Sequence, residues 1–522
     1  MTGQTPEPNR ARLKAAGANT FSRRVMLRGA TATTLSLACG VPLGRVSAQT
    51  PSANSALNDL RARLSGQLLV PGESAFDATN TPANLRYQKV IPTAIARCAD
   101  EADVITCVQW CAENGVDPVV RGGGHSYAGY STTTGLLIDL RNLNSVTVDR
   151  DAGTMTVGGG ATTEHVFAAL NAGPHMLPQG TCSSVGMGGL TLGGGLGYDS
   201  RWAGLTCDHL QRTRLITAGG EPLDVTSSQH SALFWALRGG SGGSFGVNTS
   251  FTFNLVEAPA GPVTTFSVAW RGADAAGLAL RAFQAIVQDA PREFGATLTI
   301  TPLDPAISGR RRSIDVSLRG QYIGVEKELR NLLQPLLEIK TPPVDQSIME
   351  QSYWASQRQL IEPYTGEHAF TDLSRFAEAP LPEDVLQQIV DFLVDCPYRT
   401  DAAHGAITIF GWVGGVLAET PRDATAYVHR NMTALWQTGA VWSPGAAPNV
   451  GEELSAWTQE VDSLIAPHTP SESYQNFPNR EITDWQQQYY AENFQRLVEV
   501  KQSYDPDNLF RNAQSIPVSS GA

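Results

Sequence analysis

Val119-Val120-Arg121-Gly122-Gly123-Gly124-His125-Ser126-Tyr127 reads as a strand that runs straight into three glycines. Its counterpart lies downstream. Gly180-Thr181-Cys182-Ser183-Ser184-Val185-Gly186 leads through Gly188-Gly189 to Gly193-Gly194-Gly195 and Gly197, placing seven glycines in the twelve residues from 186 to 197. Without Cβ atoms such loops let backbone N–H groups come close to a phosphate or a flat ring. The first loop alone reads equally as turn geometry. The second suits a backbone laid against a large planar ligand. Neither has the spacing of a Walker loop or of a dinucleotide fingerprint. One loop carries His125 and the other Cys182, 57 residues later.

The surrounding chain has 522 residues, 42% of them hydrophobic and 17% charged, which predicts a globular protein of two or three domains. Net charge is −12. Residues 1–48 hold seven Lys/Arg and one acid, leaving 31 basic and 49 acidic residues beyond them. So acidic a body argues against nucleic acid and anionic membranes as partners. Ser22-Arg23-Arg24-Val25-Met26-Leu27-Arg28 resembles the bacterial twin-arginine export motif. A modest apolar stretch and Val46-Ser47-Ala48 follow, as a cleavable leader requires. The stretch is too short and polar to span a membrane. Export by the twin-arginine machinery to the periplasm or medium is expected, with no stable membrane association. Beyond Cys39, six cysteines remain, none in a CxxC pair, so no metal site is expected. Cys98, Cys107 and Cys111 could be free thiols or could include a disulfide.

Periodicity predicts an α+β arrangement up to about residue 258. Short strands are expected at Lys89–Pro92, Asp117–Arg121, Leu136–Leu140, Ser145–Val148 and Met155–Val157, with helices over Asp103–Ala112 and Thr162–Leu170. Beyond Pro259, longer strands such as Thr264–Trp270 and Ala434–Trp442 alternate with amphipathic helices. That pattern predicts an antiparallel sheet covered by helices on one face. One helix is expected from Trp485 to Val500.

Three motifs together resemble the vanillyl-alcohol-oxidase type of FAD-binding (PCMH-type) domain, and specifically the berberine-bridge-enzyme-like oxidases. They are Arg121-Gly-Gly-Gly-His125-Ser-Tyr127, Gly180-Thr-Cys182-Ser-Ser-Val-Gly186-Met-Gly188-Gly189, and Arg238-Gly-Gly-Ser-Gly-Gly-Ser-Phe-Gly246-Val. The C-terminal run Tyr474-Gln-Asn476-Phe477 … Tyr504-Asp-Pro-Asp-Asn508-Leu-Phe510 matches as well. The resemblance covers residues 85–515. It implies a two-domain fold: leader 1–48, linker and helix 49–84, FAD-binding domain 85–258, substrate domain 259–470, a segment 471–515 returning to the FAD domain, and a tail 516–522.

The resemblance also implies roles. His125 matches the histidine bonded to the flavin 8α-methyl, and Cys182 the cysteine bonded to C6, so FAD attached through both is expected. The flavin is expected along Arg121, Gly122, Gly123, Gly124 and Ser126, along Gly180, Thr181, Val185, Gly186, Gly188 and Gly189, and against Gly246, Val247 and Asn508. Read without the resemblance, Ser126 is structural, like Met187 and His209. Tyr474 matches a tyrosine that takes the substrate O–H proton as hydride leaves for flavin N5. Tyr127 and Gln437 are the further candidates beside the substrate. Val185, as a small residue, leaves room for dioxygen. No acidic partner for Tyr474 is evident. The expected activity is oxidation of a hydroxylated small molecule, an oligosaccharide or a secondary-metabolite alcohol, with dioxygen reduced to hydrogen peroxide. Oxidative C–N or C–C chemistry on an alkaloid-like substrate is the alternative. A non-catalytic, flavin-containing periplasmic binding protein is the reading from another class.

Overall fold

Short apolar runs become strands wherever both of their faces are covered. Ala94-Ile95-Ala96 and Leu136-Leu137-Ile138 are almost wholly buried, as parallel strands require. They lie in a four-stranded sheet ordered Gln67–Leu69, Ala94–Arg97, Leu136–Asp139, Pro118–Arg121, whose last three strands are parallel. This is a computed structural model describing residues 53–303, 313–363, 366 and 368–519; the expected leader lies outside them. Helix Glu101–Asn114 makes the crossover. Asp100 caps its start by accepting from the Asp103 N–H, and Gly115 at φ +63° ends it. The strand expected at Lys89–Pro92 forms later, at Ala94–Arg97. Pro92 has no N–H to give a ladder, and Ile91 is exposed.

Next comes an antiparallel sheet ordered Val146–Asp149, Thr154–Gly158, Val247–Asn254, Leu210–Ile216, Pro222–Thr226. Met155, Val157, Phe251 and Phe253 point inward from it, and Leu497, Val498 and Val500 of the C-terminal segment pack on the same core. That segment does return to the first sheets. Lys501 and Asp505, both buried, pair at 2.6 Å, while the Lys501 ammonium also donates to the Ser244 and Phe510 carbonyls. The single helix expected from Trp485 to Val500 is instead two, Trp485–Tyr490 and Phe494–Tyr504, broken where Ala491 takes φ +41°. Asn493 in the break donates to the Arg422 and Thr425 carbonyls, which fixes the turn.

The third sheet is antiparallel, ordered Asp345–Gln351, Val263–Arg271, Ser313–Tyr322, Phe294–Leu303, Ala403–Gly411, Ala434–Trp442, Ala369–Ala377, with Arg399–Thr400 beside Ala403–Gly411. Helices Ala273–Asp289, Glu326–Leu337, Glu383–Val394 and Pro448–Ile465 cover one face, burying Leu298, Ile300, Ile407, Ile409 and Trp436. Alternation puts polar groups on the other face. In register across it lie Thr299, Thr408, Gln437 and Ser374. Among the described residues no helix is long and apolar enough to cross a membrane.

Candidate active site

A cavity of about 610 Å³ runs between the two glycine loops and on to the polar face of the large sheet, within the usual range for a small-molecule site. The loops touch glycine on glycine. A Cβ on Gly123 would lie 2.3 Å from the Gly186 nitrogen, and one on Gly186 would lie 2.3 Å from the Gly123 nitrogen. The second loop is pinned from behind. Thr163 and Glu164, at the start of helix Thr163–Leu170, donate to the Val185 and Ser183 carbonyls, while the Ser183 N–H donates to the Glu362 carbonyl and the Glu362 N–H to that of Thr181. A Cβ on Gly189 would meet nothing within 4 Å, so that backbone is a bare cradle facing the cavity. These features fit a large planar cofactor with phosphates.

His125 and Cys182 both line the cavity, and one hydroxyl stands between them. Ser184 Oγ is 2.8 Å from His125 Nε2 and 3.7 Å from Cys182 Sγ. Burial lowers the His125 imidazole to about 4, so it stays neutral at physiological pH. Gly122, Gly123, Gly124, Ser126, Gly180, Thr181, Val185, Gly186, Gly188 and Gly246, each expected along the flavin, line the cavity. Three expected contacts do not. The Arg121 guanidinium is turned away and donates to the Thr79, Asn80 and Ser131 carbonyls, so it braces the protein under the loop. Val247 is buried in the core of the first sheet. Asn508 adopts φ +54° at a turn that starts from Asp505, and Arg511, Asn512 and Gln514 line the cavity instead. The last glycines also differ from expectation. Asn476, Tyr427, Thr206 and Gln179 occupy the places where Cβ atoms of Gly193, Gly194, Gly195 and Gly197 would stand. Those glycines serve packing within the protein.

Tyr474 is buried in the cavity wall. Its phenol oxygen accepts from the Gly195 N–H at 3.1 Å, the Leu196 N–H at 3.3 Å and Asn476 Nδ2 at 3.1 Å. Burial raises the phenol above its ordinary value, and the three donors oppose that rise. Hydrogen bonds donated to this oxygen favour its charged form over the neutral phenol. Among the described residues no carboxylate is hydrogen-bonded to this oxygen. The Tyr474 backbone is held by Ser374 Oγ, and Glu472 just before it is gripped by His429 at 2.6 Å and by Arg422. Tyr127 stacks on Phe477 at 4.8 Å and meets Phe370 edge-on at 5.0 Å, with its phenol in reach of Gln437. Gln437 donates to Asp372 Oδ1 at 2.9 Å.

Sequence reasoning missed Asp372, Asn476 and Ser184. Asn476 and Ser184 stand inside quoted motifs without a role. Asp372 lies on strand Ala369–Ala377, which was not foreseen. Gly439, opposite it in the ladder, makes its room, since a Cβ there would lie 2.3 Å from Asp372 Oδ1. Asp372 faces a smaller cavity of about 210 Å³ beside Tyr127, Arg86 and Arg480. Burial raises its carboxyl from 3.8 to about 7. Between those values the folded chain binds more protons than the unfolded one, so this group's stabilisation fades as pH rises through that window. Asp372→Asn keeps an acceptor for Gln437 and is expected to flatten that part of the profile of Tm against pH. An unchanged slope would count against the assignment.

Residues 92–226 match the family described as FAD binding domain, and residues 473–517 match that described as berberine and berberine like. The chain is 31% identical to the uncharacterized FAD-linked oxidoreductase YgaK of Bacillus subtilis, over 88% of this chain and 98% of that protein. It is 30% identical to berberine bridge enzyme-like 5 of Arabidopsis thaliana, over 83% and 86%. A solved glucooligosaccharide oxidase from Acremonium strictum, described with 6-s-cysteinyl, 8 alpha-N1-histidyl FAD, superimposes with a TM-score of 0.77 at 27% identity, over 88% of this chain and 99% of that one.

Proposed function

The chain belongs to the berberine-bridge-enzyme-like family of FAD-dependent oxidoreductases, and from that membership we propose that it is an exported oxidase of CH–OH groups, holding FAD through both His125 and Cys182. The observation that carries the reading is the Tyr474 oxygen, set in the cavity wall among three N–H donors. A base for an alcohol proton must bear negative charge where water is scarce, and preorganised donors supply that stabilisation without reorganising. When bound, FAD supplies the hydride acceptor and afterwards delivers the electrons to dioxygen. The protein's own part is to bind, orient and move one proton. Tyr474 takes the substrate hydroxyl proton at its phenol oxygen. Tyr127 and Phe477 give a flat apolar surface, while Gln437, Thr299 and Thr408 offer hydrogen bonds from the sheet. This mixture suits a ring bearing several hydroxyls, such as a sugar. Val185, half-buried at the cavity wall, leaves room for dioxygen. His125 attaches through Nδ1, as the N1-histidyl linkage of the oligosaccharide oxidase suggests, and Cys182 through Sγ.

One preparation tests the reading. The acid-precipitated polypeptide is expected to stay yellow. His125→Ala and Cys182→Ala should each leave a single bond, and the double variant none. The mature chain should begin at Gln49. Peroxide release is expected with sugars or alcohols. Peroxide from amines alone would move the activity to C–N oxidation, and none from sugars, alcohols or amines would leave a binding protein.

A further inference from the structure

Ser184 is the hydroxyl shared by the two side chains proposed to attach the flavin, at 2.8 Å from His125 Nε2 and 3.7 Å from Cys182 Sγ. Its place is built rather than incidental. The loop around it is fixed by the Thr163, Glu164 and Ser183 N–H bonds and by the Thr163 hydroxyl on the Cys182 carbonyl. Its backbone lies against Gly123, where a Cβ would come within 2.7 Å of the Ser184 carbonyl. We propose that Ser184 is a positioning residue for flavin attachment, accepting from His125 Nε2–H and donating its own proton toward Cys182 Sγ. The inference rests on the bicovalent reading above.

The chemistry follows from one hydroxyl's single proton and two lone pairs. A bond accepted from Nε2–H selects the neutral tautomer whose lone pair is on Nδ1, the nitrogen that must attack. The lowered basicity of the buried ring keeps it in that neutral form. The hydroxyl proton, aimed at sulfur, holds the Cys182 side chain by a hydrogen bond in the orientation from which it attacks. Each attachment replaces one C–H of the flavin and one N–H or S–H of the protein by a C–N or C–S bond. For each bond, two protons and two electrons pass to dioxygen as hydrogen peroxide. Ser184 is neither consumed nor oxidised. It sets which nitrogen attacks and where the sulfur stands, for both bonds at once.

The test is the attachment state of purified full-length protein, read by intact mass and by flavin-peptide mapping, independent of turnover. Ser184→Ala is expected to lower the doubly attached fraction about tenfold, the scale of losing a hydrogen bond to a developing charge. Flavin should then be partly acid-extractable. Ser184→Thr and Ser184→Val have nearly the same shape and differ in the hydroxyl. The Thr variant is expected to attach flavin like the parent and the Val variant like the Ala variant. Equal double attachment in the Thr and Val variants, or a fully attached Ala variant, would overturn the role of Ser184. A parent chain that itself carries fewer than two bonds would overturn the bicovalent reading instead.

Discussion

Tyr474→Phe is expected to slow reduction of the bound flavin by substrate about a thousandfold, the middle of the range for losing a positioned general base. Substrate affinity should change little. The substitution removes one oxygen and keeps the ring, which meets Phe477 edge-on at 5.0 Å and has Phe376 and Tyr427 at 6.3 Å. It also strips the Gly195 and Leu196 N–H groups of their acceptor, so about 1–3 kcal/mol of stability goes with each buried donor left bare. Anaerobic stopped-flow spectroscopy separates the effects, because one substrate titration yields both the limiting rate and the dissociation constant. The direction with pH is fixed as well. The phenol sits above its ordinary value, so the basic form, and with it the reduction rate, grows as the medium becomes more alkaline. The Phe variant should lose that rise. Unchanged reduction would remove Tyr474 from the mechanism. A weaker affinity with an unchanged limiting rate would make it a binding residue.

That tyrosine shows how far the sequence could be read and where it stopped. Its motif named it, and the need for a partner to stabilise phenolate followed from its chemistry. No acidic partner was evident in the sequence. The structure supplies three N–H groups, two of them from the backbone of the second glycine loop, 278 and 279 residues away in sequence. Backbone donors carry no residue-type signal, so no inspection of side chains finds them. The glycines mislead in the same way. Gly186 and Gly189 face ligand space or the partner loop, whereas Gly195 is there because Thr206 Oγ1 would lie 2.2 Å from its Cβ. Composition cannot separate glycines that admit a cofactor from glycines that admit another side chain. Strands such as Ala434–Trp442 were legible because alternation is local. Asp372 was not, because its meaning depends on Gln437 and Gly439 in a neighbouring strand. Arg121 stood in the motif beside the phosphate cradle, yet its charge is spent on three carbonyls beneath it.

Gly123→Ala and Gly186→Ala are expected to abolish double attachment of the flavin while leaving a folded chain. Neither residue has a positive φ, so alanine's backbone is permitted and the whole cost is contact. On Gly123 the added carbon meets the Gly186 nitrogen at 2.3 Å, the Ser184 carbonyl oxygen at 2.7 Å and the Gly186 Cα at 2.9 Å. Non-bonded carbon contacts settle at about 3.5–4.0 Å, so the loops must part by roughly an ångström. These are backbone atoms in a pinned loop, and no side chain can swing aside. The overpacking costs about 1–3 kcal/mol, which a protein of this size survives. The site does not survive it, because His125 rides on one loop and Ser184 and Cys182 on the other. A 2.8 Å hydrogen bond stretched by that amount is lost. Gly189→Ala separates clash within the protein from clash with ligand, since its Cβ meets no protein atom within 4 Å. It should leave the Tm of flavin-free chains unchanged and still lower the flavin content of the protein as purified. Intact mass for attachment, alongside thermal unfolding, reads all three variants. Full double attachment in both Gly123→Ala and Gly186→Ala would show that the loop contact does not set the geometry of the two linking residues.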